Sequence, residues 1–191
     1  MNIVKRNGES VPYNVEKIHR VIEWAVEGIK GVTASDIEIN ADLQKKEGMT
    51  TVEIHDVLVD SAANLISLSS PNYQYVAARL LSYHLRKEVW GGKNPPKLVD
   101  FINENVHEND VYDEDILMMY DKTEINKLDE YIDHSRDENF TYAGMRQLCD
   151  KYLIQDRSTG RLYETPQFAY MIIAMVCFGQ YAGDERIAYI K

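Results

Sequence analysis

Residues 3–20 leave this chain little choice of opening fold. Ile3-Val4-Lys5 and Ser10-Val11-Pro12 are short β-prone runs on either side of Arg6-Asn7-Gly8-Glu9. Asn7-Gly8 predicts a two-residue type I′ hairpin, because that turn needs positive φ at both central positions. Pro12 suits an edge strand, where a missing ladder donor costs nothing. Two residues later Asn14 offers a helix N-cap. Beyond it Ile18, Val21, Ile22, Ala25 and Ile29 keep helical spacing and predict a buried stripe. A small hairpin must therefore run straight into an amphipathic helix.

The helices that follow carry their own start and stop signals. Gly28 and Gly31 bracket the end of the first. Ser35 reads as the cap of a second, over residues 36–46, which Gly48 closes. Thr50 and Glu53 have the spacing of a capping box. The third helix then carries Ile54, Val57, Leu58, Ala62, Leu65 and Ile66 inward, with Thr51 and His55 on a different face. Pro71-Asn72 opens a fourth helix reaching about residue 90, where Gly91-Gly92 stops it. Lys93-Asn94-Pro95-Pro96 reads as a linker. That pattern divides the chain into residues 1–92 and 93–191.

The second part is mostly helical, over residues 97–106, 113–120, 123–134 and 140–151. Residues 152–155 and 161–164 flank Asp156-Arg157-Ser158-Thr159-Gly160 and predict one hairpin. Thr165-Pro166 then opens an apolar helix through Phe178, and residues 184–191 begin another. With only that short terminal helix after it, the apolar helix keeps surface with little to cover it. Its apolar run is too short to span a bilayer and no apolar leader opens the chain, so no membrane partner is expected; two cysteines far apart in sequence suit a reducing, cytoplasmic setting. The fold class is mainly α, with a hairpin and four helices first and a helical segment with one hairpin after.

Charge decides which half could hold an anion. The net charge is −10, which argues against direct nucleic-acid binding. Residues 1–92 hold 10 Lys and Arg against 12 Asp and Glu, a net of −2, whereas residues 93–191 hold 11 against 19, a net of −8. In the first half Lys5 and Arg6 end the first strand, Lys17 and Arg20 open the first helix, and Arg86 and Lys87 close the fourth. If the layers pack together, these cations and a helix N-terminus would suit a polyphosphate. Neither a GxGxxG nor a GxxxxGK[ST] loop is present, so side chains would have to do the holding. The bland alternatives stay open: surface lysines are usually solvated, Lys87 complements a helix dipole, His55 could simply pack, and Tyr83 could be core or stack on a base. Cys149 and Cys177 fit neither a disulfide framework nor a metal pattern, and both read as small buried apolar residues.

Several segments together resemble a known family. Val4-Lys5-Arg6-Asn7-Gly8, Asn14-Val15-Glu16-Lys17-Ile18, Gly48-Met49-Thr50-Thr51 with His55, and Asn72-Tyr73-Gln74-Tyr75-Val76-Ala77-Ala78-Arg79-Leu80 resemble the ATP-cone of the class I ribonucleotide reductase large subunit. Ile132-Asp133-His134-Ser135-Arg136-Asp137, Phe140-Thr141-Tyr142, Lys151-Tyr152-Leu153 and Tyr163-Glu164-Thr165-Pro166-Gln167-Phe168 resemble the helical region that follows the cone, in the phage and enterobacterial type. The resemblance covers nearly the whole chain.

It implies an overall activity switch, with ATP activating and dATP inhibiting, accompanied by Mg2+. By resemblance Lys5, Lys17, Thr51, His55 and Lys87 hold the nucleotide, with Lys5, His55 and Lys87 on its phosphates and Arg6 and Tyr83 beside them. The stretch Val11, Pro12, Tyr13, Asn14, Val15, Glu16 and Lys17 would wrap base and ribose, with Asn14 reading the adenine edge. Val11 departs from the acidic residue usual in the family, which leaves only backbone contacts there. The family's catalytic and redox cysteines have no counterpart here, so the resemblance implies no catalytic residue, catalytic cofactor or metal site in this chain, and no activity by itself. It would be a truncated or split subunit of a thioredoxin- or glutaredoxin-dependent enzyme. Its implied partners are the remainder of the large subunit, the radical-generating small subunit and further large subunits. The alternatives are a stand-alone regulatory or assembly protein with a cone, including a degenerate one, and a cone-bearing transcriptional repressor. The last would need a cysteine-rich zinc ribbon before the cone, which is absent here.

Overall fold

The chain opens as expected, with a two-stranded antiparallel hairpin of β1 (Asn2–Val4) and β2 (Ser10–Pro12) in the register Asn2↔Pro12, Ile3↔Val11, Val4↔Ser10. In this computed structural model every residue is described except Met1, Arg6, Leu43, Lys45 and Lys93. The turn is not the two-residue type I′ form. Gly8 has φ +82°, but Asn7 does not share a positive φ. The Gly8 N–H donates to the Lys5 carbonyl and the Lys5 N–H to the Glu9 carbonyl, each at 2.9 Å. The Asn7 side chain instead accepts from the Glu9 N–H at 3.1 Å, so its amide closes the turn in place of a left-handed backbone.

Among the described residues ten α-helices follow: α1 (Val15–Val26), α2 (Ala34–Asp42), α3 (Thr51–Asn64), α4 (Tyr73–Trp90), α5 (Leu98–His107), α6 (Asp115–Met119), α7 (Lys122–Asp129), α8 (Tyr142–Gln147), α9 (Pro166–Phe178) and α10 (Gly183–Ile190). The mainly α class stands, with the hairpin and four helices in front. By packing, the chain falls into two compact units, Met1–His84 with Glu138–Gln147, and Leu85–Asp137 with Leu148–Lys191.

In the first unit, Asn14 caps α1 by accepting from the Lys17 N–H at 3.0 Å. Ile22 and Ala25 are fully buried, while Ile18, Val21 and Ile29 are half-buried. α2 packs on both α1 and α3 and starts earlier than Ser35 suggests. The Thr33 hydroxyl accepts from the Asp36 N–H at 3.2 Å and donates to the Asp36 carboxylate at 2.7 Å. The Tyr73 hydroxyl also donates to that carboxylate, at 2.7 Å. This tertiary anchor selects Thr33 over Ser35, and the helix ends at Asp42 rather than at residue 46. Thr50 and Glu53 form the capping box of α3. Ile54, Leu58 and Ala62 are buried as expected, but Ile66 lies past the helix end and is exposed. The Arg79 guanidinium takes the carbonyls of Ala25 and Glu27, finishing the C-terminus of α1.

In the second unit, α5, α7, α9 and α10 enclose a core in which Phe101 stacks on Phe168 at 4.1 Å. Pro166 stands at the first turn of α9 behind Thr165, as its sequence predicts. Three expectations change. The helix over residues 123–134 stops at Asp129, and a 3-10 helix, His134–Asn139, follows, because Asp133 captures the N–H and hydroxyl of Ser135. The helix over residues 140–151 widens after α8 into a π turn, Leu148–Tyr152. The expected hairpin shrinks to a single bridge, Gln155↔Leu162. Side-chain carboxylates take N–H groups there: Glu164 accepts from Ile154 at 2.8 Å and Glu88 from Leu162 at 3.1 Å. Two polar pairs, the first buried and the second partly buried, tie this unit together. The Tyr112 hydroxyl donates to Glu164 at 2.6 Å, and Arg186 grips Glu124 with contacts of 2.6 and 2.7 Å. Among the described residues no helix is long and apolar enough to cross a membrane.

Candidate functional site

The hairpin reaches α3 through its backbone. Residues 48–50 run alongside β1: the Val4 N–H donates to the Met49 carbonyl at 2.9 Å, the Gly48 N–H to the Asn2 carbonyl at 3.0 Å, and Val4 and Thr50 form a parallel bridge. Lys5 follows β1 directly, and Thr51 follows Thr50 as the first residue of α3. Lys5 therefore emerges beside the N-terminus of α3, where the helix dipole favours an anion.

One turn into α3 stands His55. Four residues after Thr51, it lies on the same side of the helix, but that side is covered: His55 is buried, at 8% exposure, and Thr51 is half-buried. The His55 ring lies 5.5 Å from Tyr83 and 5.4 Å from His84, both on α4, and Tyr83 lies 5.8 Å from Trp24 on α1. Lys5, Thr51, His55 and Tyr83 thus follow one another from the hairpin into an aromatic cluster. Sequence reasoning missed Trp24 and His84. The available signal was an aromatic residue on each of α1 and α4 away from the apolar stripe, but nothing local pairs residues sixty positions apart.

Lys5 is already occupied. Its ammonium contacts the Glu9 carboxylate at 2.8 Å, which holds Glu9 below the usual carboxylate range. Glu53 is likewise held low by the Thr50 backbone N–H and hydroxyl. The other expected residues lie nearby in sequence but not all in this line. Val11 pairs with Ile3 and Pro12 with Asn2 in the hairpin, and Tyr13 is half-buried before the cap at Asn14. Val15, Glu16 and Lys17 are exposed in the first turn of α1. Arg6 lies outside the described residues. Lys87 follows Tyr83 by one turn of α4 and is half-buried, but packs with the second unit.

Two cations suggested by sequence have other work. The Arg20 side chain turns back to the Glu16 carbonyl. Arg86 donates to the His134 carbonyl, faces Asp137 at 3.5 Å and lies over the Trp90 ring. A helix turns about 100° per residue, so Arg86 projects well away from its neighbour Lys87.

A cation, a helix N-terminus, an imidazole and a cluster of tilted aromatic rings can hold an anion attached to a flat heterocycle. Among the described residues no group of His, Cys, Asp and Glu could hold a metal. Cys149 is buried in the π turn, but Cys177 is exposed on α9, contrary to the buried role expected for both.

Residues 1–88 match the ATP cone domain, and residues 138–191 match the ribonucleotide reductase all-alpha domain. The chain thus joins an ATP cone to ribonucleotide reductase all-alpha sequence. It is 42% identical over 189 residues to the ribonucleoside-diphosphate reductase subunit alpha of Haemophilus influenzae, and equally so to ribonucleoside-diphosphate reductase 1 subunit alpha of Escherichia coli K12. Each alignment covers 99% of this chain and 25% of the relative. The subunit alpha of Enterobacteria phage T4 is 42% identical over 175 residues, 92% of this chain and 23% of that protein. The chain spans about a quarter of the length of the curated relatives it matches, and its ATP cone contains the line from Lys5 to Tyr83.

Proposed function

We propose that the ATP cone binds ATP or dATP as competing effectors and sets the overall activity of a class I ribonucleoside-diphosphate reductase. ATP supports deoxyribonucleotide synthesis and dATP suppresses it. In this reading residues 1–92 are the allosteric domain and residues 93–191 the opening of the large subunit's helical region. The reaction, with its thioredoxin- or glutaredoxin-supplied electrons, belongs to cysteines outside this chain, so these 191 residues alone do not reduce ribonucleotides. The rest of the large subunit, further large subunits and the radical-generating small subunit are the partners, in the cytoplasm.

One observation carries the reading: the register of β1 against residues 48–50, which sets Lys5 beside Thr51 one turn from His55 and Tyr83. The triphosphate lies along Lys5, His55 and Lys17 with Mg2+, and Tyr83 faces the nucleotide. Arg6 joins the cations, and Val11 to Glu16 enclose base and ribose. The two effectors differ by one hydroxyl, so they regulate only by binding two states of the assembly with different affinity.

Calorimetric titration of the chain with ATP and with dATP tests this. Both are expected to bind at one shared site, and Lys5→Ala is expected to weaken binding about tenfold, the loss of one charge-assisted contact. No heat with either nucleotide, or unchanged affinity in Lys5→Ala, would defeat the proposal.

A further inference from the structure

α9 is apolar on every side. Its inner face, including Phe168, Met171, Ile172 and Met175, lies in the core of the second unit. On the opposite side Tyr170, Ile173, Val176 and Cys177 recur at three- and four-residue spacing and are open to solvent; Ile173 is 59% and Val176 58% exposed. No residue from 168 to 178 is charged. At the end of the helix Phe178 stacks on Tyr189 at 5.6 Å, and Tyr189 meets Tyr181 at 4.7 Å, which carries the patch onto α10. Helices apolar all round belong in interiors, and a contiguous exposed apolar face marks an interaction surface.

The relatives run about four times as long as the matched region, and α9 falls within the all-alpha match. We propose that the outer face of α9, with the rings of Phe178, Tyr181 and Tyr189, seats an apolar segment of the large subunit's remaining three quarters. This rests on the reading of the chain as reductase sequence. Residues 93–191 carry a net −8, so two copies meeting here would repel each other. Glu185 accepts from the Tyr189 hydroxyl at 3.3 Å, and with Asp184 it puts negative charge at the edge of the patch. The covering segment is therefore apolar at its centre, with Lys or Arg towards α10.

Cys177 lies on this face, and Cys149 is a buried reference in the same unit. Thiol labelling with DTNB, followed residue by residue by peptide mass spectrometry, is compared in two proteins. One is the 191-residue chain. The other joins the same residues to the remaining sequence of the Haemophilus influenzae subunit. Cys177 is expected to react fast in the first and at least about tenfold slower in the second, because a covered thiol loses access to reagent. Ile173→Asp with Val176→Asp is expected to restore fast labelling in the joined protein, whereas Leu68→Asp, a control in the first unit, leaves it slow. In the 191-residue chain the double variant is expected to keep the parent Tm. Equal Cys177 rates in the two proteins overturn the proposal. So does a lowered Tm for the double variant, which would mean that the chain covers this face itself. Protection that grows with concentration in the 191-residue chain also overturns it, because it assigns the face to a second copy. ATP titrations of both proteins separate the two ideas: lost ATP binding with Cys177 still protected defeats the effector reading and leaves the interface standing.

Discussion

Glu9 holds the ammonium of Lys5 before any ligand arrives. An incoming phosphate must displace that carboxylate, so Glu9→Gln is expected to tighten ATP binding by a few fold, opposite in sign to Lys5→Ala, as read by titration. His134 makes a second point at this scale. Burial against Trp90 and Phe168 holds it at about 4, against an ordinary 6.5. Between those values the unfolded chain binds more protons. Its contribution to stability is therefore present above 6.5 and lost as pH falls towards 4. Asp137, raised by burial, works the other way, losing its contribution as pH rises through its raised pKa. The difference between the parent and His134→Gln isolates the imidazole: denaturant melts should show the parent losing up to about 2 kcal/mol more than the variant across that window, a figure discounted for the partly exposed ring. Of the site itself, Lys5 and Thr51 were legible in sequence because each sits at the end of a readable element. The burial of His55 and its contacts with Tyr83 and His84 were not, because helical spacing says which residues share a face and not what another helix brings to it.

At the scale of elements, what the sequence carried best was chemistry local to one turn. Asn14, the Thr50–Glu53 box and the Thr165-Pro166 opening of α9 each need only a few neighbouring residues, and each was readable. The failures share a distant cause. α2 begins at Ala34, behind Thr33, because Tyr73, some forty residues on, accepts the Thr33 N–H and donates to the Asp36 carboxylate. The hairpin over residues 152–164 is cut short by carboxylates from Glu88 and Glu164. The widening at Leu148–Tyr152 has no local signal that we recognise. Thr50→Ala removes the cap of α3 and is expected to cost about 1 kcal/mol in a urea melt. Arg186→Ala leaves the partly buried Glu124 carboxylate without its partner and should cost more, about 2 kcal/mol in the same melt.

For the molecule as a whole, binding and stability are linked. ATP at one hundred times its Kd should raise the stability of the folded chain by about 2.7 kcal/mol, seen as a rise in Tm that Lys5→Ala diminishes. The packing of the chain also limits how it can be divided. The first unit recruits residues 138–147 from far along the sequence, so the backbone passes between units after His84, after Asp137 and again after Gln147. No single scission releases either unit whole. A protease cutting the loop after α4 would leave the amino-terminal piece without one of its own parts, still to be found on the other fragment.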